Sequence, residues 1–497
     1  MNKKNSFAFS LHVFVLFFSI HSSWAQKSAI EKNLKKEEAL SHFSFLASDE
    51  LKGRDAARME IDIAARYIAE QFEKYGAKSL EKLEGYYQFV PLIQSAPPQV
   101  GEIILGDKPL TLGGDMLVLG GQDVEGEFDV VNLGYGLEED YEGQDVSGKW
   151  VVTRVGKPDR LTPSELFEAG REKRALAKSK GALGLIEMYN VPNTPWGLLA
   201  NYLNRPQMGL DPAPHENQQF PYIWVKDLSN EILNQIEPSG EKVGVRINGK
   251  VNRKINGRNV VAWIEGTDPE LKEEYIMLSA HYDHLGVGQP NAEGDSIYNG
   301  ARDNAVGTVA LINAAQFFAE NPPKRSVLLS AWTAEEKGLL GSSYFSENPP
   351  IPLNQVIYNL NIDNAGYNDT SVITVIGLGR TSADHHIQDA VSEFGLEAIP
   401  DPAPEQGLYD RSDNVNFAKR GIPAPTFSLG FTAFDEQVGE HYHQPSDRFE
   451  NFDLEYALLY WKSYILAAQK IANDPDQPLW MEGDKYEEAG KALYQLE

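Results

Sequence analysis

Hydrophobic and polar positions alternate in different ways along this chain, and the changes divide it into three regions. Between about residues 35 and 95, apolar residues recur at helical spacing in "EALSHFSFLASDELKG" and "GRDAARMEIDIAARYIAEQFEKYGAK", and the strand-like "GYYQFVPLIQS" follows. Between about 98 and 250, short strands such as "GKWVVTRVG" are separated by Gly, Pro and Asp turns, with one clear helical pattern, "SELFEAGREKRALAKSKGA". The middle region is therefore predicted to be a separate β-rich module.

After Asn256 the pattern becomes one of strands that alternate with helices. Apolar strands such as "YIMLSAHYD", "SVLLSAWT" and "VIYNLNIDNAG" are each followed by a helical stretch, and the chain closes on the long helical pattern "LEYALLYWKSYILAAQKIAND". Repetition of strand and helix is typical of a largely parallel sheet with helices on both faces. The sequence therefore predicts an α/β fold class for this region.

Length and composition narrow the possibilities further. A chain of 497 residues exceeds one ordinary hydrophobic core, so two domains, or one large domain with an insertion, are expected. The chain has no cysteine, so disulfides and thiolate chemistry are excluded and any transition metal must be held by His, Asp and Glu. The formal net charge of −27 argues against nucleic acid or an anionic membrane as a partner.

Residues 1–25 have the pattern of an export signal. Lys3 and Lys4 form a basic start, "FAFSLHVFVLFFSI" is an apolar core, and the small residues Ser23 and Ala25 precede the expected cleavage point. We expect a cleaved signal peptide and a secreted or periplasmic protein, with an uncleaved anchor as the alternative. No later apolar run is long enough to span a bilayer, so no membrane attachment is expected after cleavage.

Candidate chemistry is concentrated where the predicted strands end. In open α/β sheets, ligands bind beyond the carboxyl ends of the strands, so residues scattered in sequence can converge there. Near the C-terminus, "GEHYHQPSD" adds two further histidines, His441 and His443. Together these His and carboxylate groups are the ligand types that zinc takes in the absence of cysteine. The residues at the strand ends are His281, Asp283, Glu335, Glu336 and Asp363, and Asp303 stands at the start of the helix that follows the first of these strands.

Each of these residues also has an ordinary structural explanation. An isolated Asp at the start of a helix, such as Asp303, is commonly an N-cap. A single Glu after a strand is commonly a solvated loop residue, and a single His is commonly a hydrogen-bonded structural residue. The metal interpretation depends on the whole set occurring at successive strand ends.

The ordered motifs resemble those of the co-catalytic zinc aminopeptidases related to bacterial leucyl aminopeptidase and to glutamate carboxypeptidase II. The matching segments are "HYD", "GARDNAVG", "EEKGLLGS", "NIDN" and "HQPSD", which cover about residues 250–475. The resemblance implies a three-layer α/β sandwich with a mixed, mostly parallel sheet. It divides the chain into residues 26–97 and 251–497, which form the peptidase domain, and an insertion at 98–250. The insertion is similar to a protease-associated domain through "VSGKWVVTRVG" and "AKSKGALGLIE".

The same resemblance implies two Zn²⁺ per chain and a role for each matched residue. His281 and Asp363 would bind one zinc, Glu336 and His443 the other, and Asp303 would bridge both. Glu335 would be the general base that takes a proton from the attacking water. The remaining implied roles are a hydrogen bond from His281 to the Asp283 carboxylate and stabilisation of the oxyanion by Tyr442. We expect His284, His385 and His386 to be structural or surface residues.

The function expected from this set is that of an exported aminopeptidase that removes N-terminal residues from peptides. Alternatives on the same fold are a glutaminyl cyclase with a single zinc and a carboxypeptidase or dipeptidase for acidic dipeptides, which would need a basic pocket. Two further alternatives are a receptor-like binding protein that has lost its metals and a peptide-binding module. Neither would explain the presence of the five implied ligands and the implied base, which are His281, Asp303, Glu335, Glu336, Asp363 and His443. Side-chain preference, oligomeric state and the metal bound in vivo stay open, as does whether Arg411 lies near the cleft.

Overall fold

The computed structural model describes residues 26–496 except for 106–107, 160, 162, 192–194, 212–219 and 237–238. The predicted signal peptide lies outside the described residues. The chain forms two compact units: the larger contains residues up to Val90 and Asn256–Glu497, and the smaller contains Pro91–Ile255. In the part of the chain that the structure describes, we find no helix with both the length and the apolar character needed to cross a bilayer.

A mixed sheet forms the centre of the larger unit. Three central strands, Val356–Ile362, Tyr275–His281 and Ser326–Trp332, run parallel to one another. Val251–Ile264 pairs antiparallel with Ser326–Trp332 on one side of them. From one edge, the strand order is Glu397–Pro400, Val372–Ile376, Thr426–Leu429, Val356–Ile362, Tyr275–His281, Ser326–Trp332, Val251–Ile264 and Tyr87–Ala96.

Both faces of this sheet are covered, as the long apolar runs of the central strands predict. Ile276 and Leu278 point into a core that they share with the helices Val306–Glu320 and Leu454–Asn473. Met277, between them in sequence, belongs to a second core on the opposite face. Side chains alternate across a strand, so the larger unit has three layers. This confirms the predicted α/β sandwich with a mixed sheet.

The long helix Leu454–Asn473 is capped by Asp453, whose side chain accepts hydrogen bonds from two backbone N–H groups in the first turn. Inside the core, Trp461 of this helix packs edge-to-face against Phe43, with ring centroids 5.8 Å apart. The other helices of the larger unit are residues 26–33, Lys36–Leu46, Met59–Lys74, Leu340–Glu347, Asp384–Glu393, Asn414–Ala418, Glu436–Gly439 and Glu487–Tyr494.

The smaller unit is built on its own mixed sheet. Its strand order is Lys108–Thr111, Val100–Leu105, Ser239–Asn248, Val124–Asn132, Trp150–Arg154, Gly184–Tyr189, Tyr222–Lys226 and Met116–Gly120. Its helices are Pro163–Ser179, Trp196–Leu203 and Glu231–Gln235. A fully buried ion pair joins Lys173 of the first helix to Glu187, with Nζ 2.7 Å from Oε1.

Candidate metal centre

The predicted site residues lie at one edge of the sheet in the larger unit. His281 is the last residue of its strand, while Glu336 and Asp363 follow the two strands that flank it. Because all three strands are parallel, their carboxyl ends bring these side chains together. Asp303 precedes the helix Val306–Glu320, and His443 lies in a loop with a left-handed backbone, φ 56°.

Asp303 stands at the centre of this group. Its Oδ1 lies 3.1 Å from Nε2 of His281, and its Oδ2 lies 3.2 Å from Nε2 of His443. Beside Oδ1 of Asp303, Oδ1 of Asp363 is 3.3 Å from the same nitrogen of His281. Beside Oδ2 of Asp303, Oε2 of Glu336 is 3.5 Å from Nε2 of His443. The structure therefore brings all five predicted ligands together, with Asp303 between two groups of His and carboxylate.

Several polar atoms here have no hydrogen-bond partner among the described residues. They include Oδ1 of Asp303 and Oε1 of Glu336, both on side chains that are only 6% exposed. Buried polar atoms are normally paired, so buried carboxylate oxygens left without partners in both groups suit the binding of cations. Nitrogen and carboxylate oxygen are suitable donors for zinc, so the residues present fit two metal ions.

Charge is unevenly distributed in this pocket. Burial opposes ionisation of Asp303, but its contacts with His281 and His443 hold its pKa well below the usual value. Burial likewise opposes ionisation of Glu336, yet nearby His284 and His443 lower its pKa. Burial lowers the pKa of His443, but its hydrogen bond to Asp303 and the charge of Glu336 outweigh that effect and raise it to about 9. The site therefore favours negative carboxylates, which cations stabilise.

Glu335 differs from its neighbour Glu336 although the two are adjacent in sequence. Burial raises the pKa of Glu335 well above its usual value, and the charge of Asp363 adds to the effect. The carboxylate of Asp283 accepts hydrogen bonds from the backbone N–H groups of both glutamates, at 3.0 Å and 3.3 Å. The buried side chain of Asp283 therefore holds the loop that carries Glu335 and Glu336 in place.

The position of Asp283 requires a correction to the predicted contact. Nδ1 of His281 lies 3.2 Å from the backbone oxygen of Asp283 and 3.9 Å from its Oδ1. The carboxylate is turned away because it bonds the backbone of the two glutamates. Hence the carbonyl of Asp283, and not its carboxylate, is the near partner of the His281 ring.

Tyr442 lies beside the group. Its ring stacks on that of His443, with centroids 4.0 Å apart, and it packs edge-to-face against Phe434. Arg411 donates to its hydroxyl across 3.4 Å, so Arg411 is near the cleft. Burial raises the pKa of Tyr442, and the charge of Asp303 adds to this, so the hydroxyl stays protonated.

Three residues near the site were not predicted to be there. His284 is fully buried, and its Nδ1 lies 2.7 Å from Oε1 of Glu336, so it lies in the site and not on the surface. Asp447 accepts hydrogen bonds from the backbone N–H groups of Arg302 and Asp303 and so holds the loop that carries Asp303. Its position at the end of "HQPSD" was a signal in the sequence. Buried Arg54 donates to the carbonyls of Tyr282 and Gly300, next to two of the site loops.

The remaining histidines lie elsewhere. Nδ1 of His441 is 3.1 Å from the backbone oxygen of Ser446, which leaves His443 as the histidine of this turn that reaches Asp303. Nε2 of His386 is 2.5 Å from Oδ2 of Asp474, and His385 lies beside it on the surface.

Comparison with known proteins finds relatives that are similar to this part of the chain. The description of peptidase family M28 matches residues 259–465, which contain every predicted metal ligand. Leucine aminopeptidase 2 of Arthroderma otae is 28% identical over 265 residues, 51% of this chain and 47% of that protein. Aminopeptidase YwaD of Bacillus subtilis is 26% identical over 187 residues, 37% of this chain and 38% of that protein. The chain thus spans about half, or less, of the curated relatives it matches.

A solved structure extends the likeness to most of the chain. The aminopeptidase from Aneurinibacillus sp. strain AM-1 superimposes with a TM-score of 0.59 over 92% of this chain and 98% of that one, at 18% identity. At this identity the likeness concerns the fold. The family match covers residues 259–465, so it is this segment, with its five motifs at one sheet edge, that is similar to peptidase family M28.

Proposed function

We propose that this protein is an exported, zinc-dependent aminopeptidase that hydrolyses N-terminal residues from peptides with two zinc ions per chain. The observation that carries the proposal is the position of Asp303, whose two oxygens face two separate groups of His and carboxylate. The relatives described as aminopeptidases support the choice of activity. Export rests on the sequence of residues 1–25 alone.

In this proposal, His281 and Asp363 hold one zinc, Glu336 and His443 hold the other, and Asp303 is shared. When bound, paired zinc ions polarise a scissile carbonyl and acidify water. The protein supplies the fixed donor geometry. His281 and Asp303 are buried, whereas the Asp363 and His443 side chains stay 20% and 35% exposed. The backbone positions of His281, Glu336 and Asp363 are set by the strands that they end or follow.

Glu335 is the proposed general base. It is partly buried, its pKa is raised, and its backbone is held by Asp283. A carboxylate with a raised pKa is a stronger base, so it accepts a proton from attacking water more readily and can then return it to the leaving amine. Glu336 sits next to it in sequence but is turned towards Asp303 and the histidines, which suits a ligand.

The test of the activity combines metal removal with a change in the substrate. Dialysis against a strong chelator is expected to abolish hydrolysis of aminoacyl arylamides, and zinc is expected to restore it. Acetylation of the α-amino group of a peptide substrate should prevent cleavage, because an aminopeptidase binds a free amine. Full activity in the dialysed, metal-free protein would remove the metallopeptidase proposal.

A carboxypeptidase is the second candidate, because Arg411 provides a basic group beside the site. Equal cleavage of the acetylated peptide, with release of its C-terminal residue, would favour this alternative. Cyclisation of N-terminal glutamine with one zinc per chain would instead indicate a glutaminyl cyclase.

Tyr442 provides a sharper test of the proposed mechanism. Its hydroxyl is a protonated donor beside the metal ligands, so we expect Tyr442→Phe to lower kcat by about 10²-fold with both zinc ions retained, as is typical when an oxyanion donor is removed. Tyr75→Phe is the matched control, since that hydroxyl donates to Glu38 in the same unit. A Tyr442→Phe enzyme with the kcat of the control would exclude the role.

A further inference from the structure

We propose that His284 is an additional metal ligand, which binds through Nδ1 to the ion held by Glu336, and that the two metal positions are therefore unequal. This inference rests on the proposed two-metal site. The group around Glu336 then has four protein ligands: His284, Asp303, Glu336 and His443. The group around His281 has three: His281, Asp303 and Asp363.

The first support is the position of the ring. Nδ1 of His284 is 2.7 Å from Oε1 of Glu336 and 3.8 Å from Oδ2 of Asp303. One donor atom from each of these three side chains lies within 4.8 Å of the other two. The ring of His443 lies edge-to-face with that of His284, with centroids 5.7 Å apart. Its Nε2 is 3.2 Å from Oδ2 of Asp303 and 3.5 Å from Oε2 of Glu336, so both histidines contact the same two carboxylates.

The second support is that His284 and Glu336 make no well-aligned hydrogen bond to each other. Although the two atoms are close, neither ring nitrogen of His284 has a hydrogen-bond partner in the described part of the chain, and the same holds for Oε1 of Glu336. The side chain of His284 is completely buried, where an unpaired imidazole is costly. A cation beside both atoms would satisfy the imidazole nitrogen and the carboxylate oxygen together.

The third support is the way the ring is held. Gly300 has φ +58°, and a Cβ at this position would lie 2.6 Å from Cγ of His284 and 2.1 Å from the backbone oxygen of Asp303. Only glycine leaves room for the ring here. The segment that leads to Asp303 therefore leaves space for the His284 ring beside the predicted ligands.

Unequal coordination has a chemical consequence. Zinc sites with four protein ligands are typically closed, whereas catalytic sites keep three protein ligands and an open position. The ion at the Glu336 group is thus expected to bind first and more tightly. The ion at the His281 group keeps the open position, and the charge of Glu335 acts directly on His281.

The experiment compares metal binding by wild type, His284→Phe and His284→Asn. Phenylalanine keeps a ring in the cavity and removes both nitrogens, while asparagine keeps one donor near the position of Nδ1. His42→Phe is the matched control, because His42 is a buried histidine that contacts Tyr67 and Tyr75 through its two ring nitrogens. Metal-free proteins are titrated with Zn²⁺ against a competing chelator and with Co²⁺ by absorption spectroscopy, and thermal unfolding checks the fold.

Wild type and His42→Phe are expected to bind two ions, the first more tightly. In His284→Phe the tight step should weaken by more than ~10²-fold, beyond the loss typical of residues that only orient a ligand, and the cobalt absorption of the first ion should change. His284→Asn should recover part of the affinity. The second step should stay within about 3-fold, since its three ligands are intact.

Two results from the variants would overturn the inference. One is a folded His284→Phe protein with unchanged tight binding. Another is weaker binding with an unchanged cobalt spectrum, which would show that His284 orients Glu336 without binding the ion. If both variants fail to fold, a zinc-loaded crystal structure of wild type decides, because a ligand has Nδ1 about 2.0–2.1 Å from the ion and a neighbour does not. Absence of any metal binding by wild type would instead reject the proposed function itself.

Discussion

Glu335→Gln is expected to lower kcat by at least ~10²-fold while both zinc ions stay bound. Glutamine keeps the volume of the side chain and removes the proton acceptor. The loop should not move, because its backbone N–H groups remain bonded to Asp283. Metal content and kcat of the purified variant are measured together, since a general base need not be a ligand.

Glu336→Gln is the matched comparison, one residue away in the same loop. It removes a charged donor from the group around His443. Metal occupancy should therefore fall below that of wild type before any effect on the rate is measured. Loss of metal from Glu335→Gln with full occupancy in Glu336→Gln would mean that the two roles are reversed. If neither substitution changes the rate or the metal content, the active site does not lie in this loop.

Much of the larger unit was predictable from the sequence because its central strands are buried on both faces. Seven-residue apolar runs such as Tyr275–His281 and Ser326–Trp332 have few alternatives to a parallel sheet with helices on either side. Once those strands are placed, the convergence of His281, Glu336 and Asp363 follows from the shared direction of their carboxyl ends.

The short elements were not predicted, for a physical reason. The helices Asn414–Ala418 and Glu487–Tyr494 and the strand Glu397–Pro400 are too short to be stable alone, so tertiary packing decides them. Likewise, the helical pattern "EALSHFSFLASDELKG" is interrupted after Leu46. Further along, Gly53 has φ +67°, and a Cβ at this position would lie 2.3 Å from the backbone oxygen of Tyr298, so only glycine fits the turn.

His284 shows where residue patterns cease to be informative about a site. A strand end fixes where His281 points, but His284 lies three residues beyond it, in a loop whose course depends on Gly300 and Arg54. Both act through contacts that are distant in sequence: Gly300 leaves space for the ring, and Arg54 binds the carbonyls of Tyr282 and Gly300. No periodicity along the chain contains that information.

Asp303→Ala is expected to have the largest effect of any single substitution, because it should remove both metal ions and reduce hydrolysis to background. Each oxygen of this carboxylate faces a different group, at 3.1 Å from His281 and 3.2 Å from His443.

Asp363→Ala removes a donor from one group only, so it should lower occupancy by one ion per chain. Asp227→Ala in the smaller unit is the control for loss of a buried aspartate; it bonds Ile232 and Leu233 N–H and should keep both metals. The number of zinc ions bound per chain is measured in the three purified variants, and it tests the expected order of metal loss. If Asp303→Ala loses one ion only, Asp303 belongs to a single metal and does not bridge two.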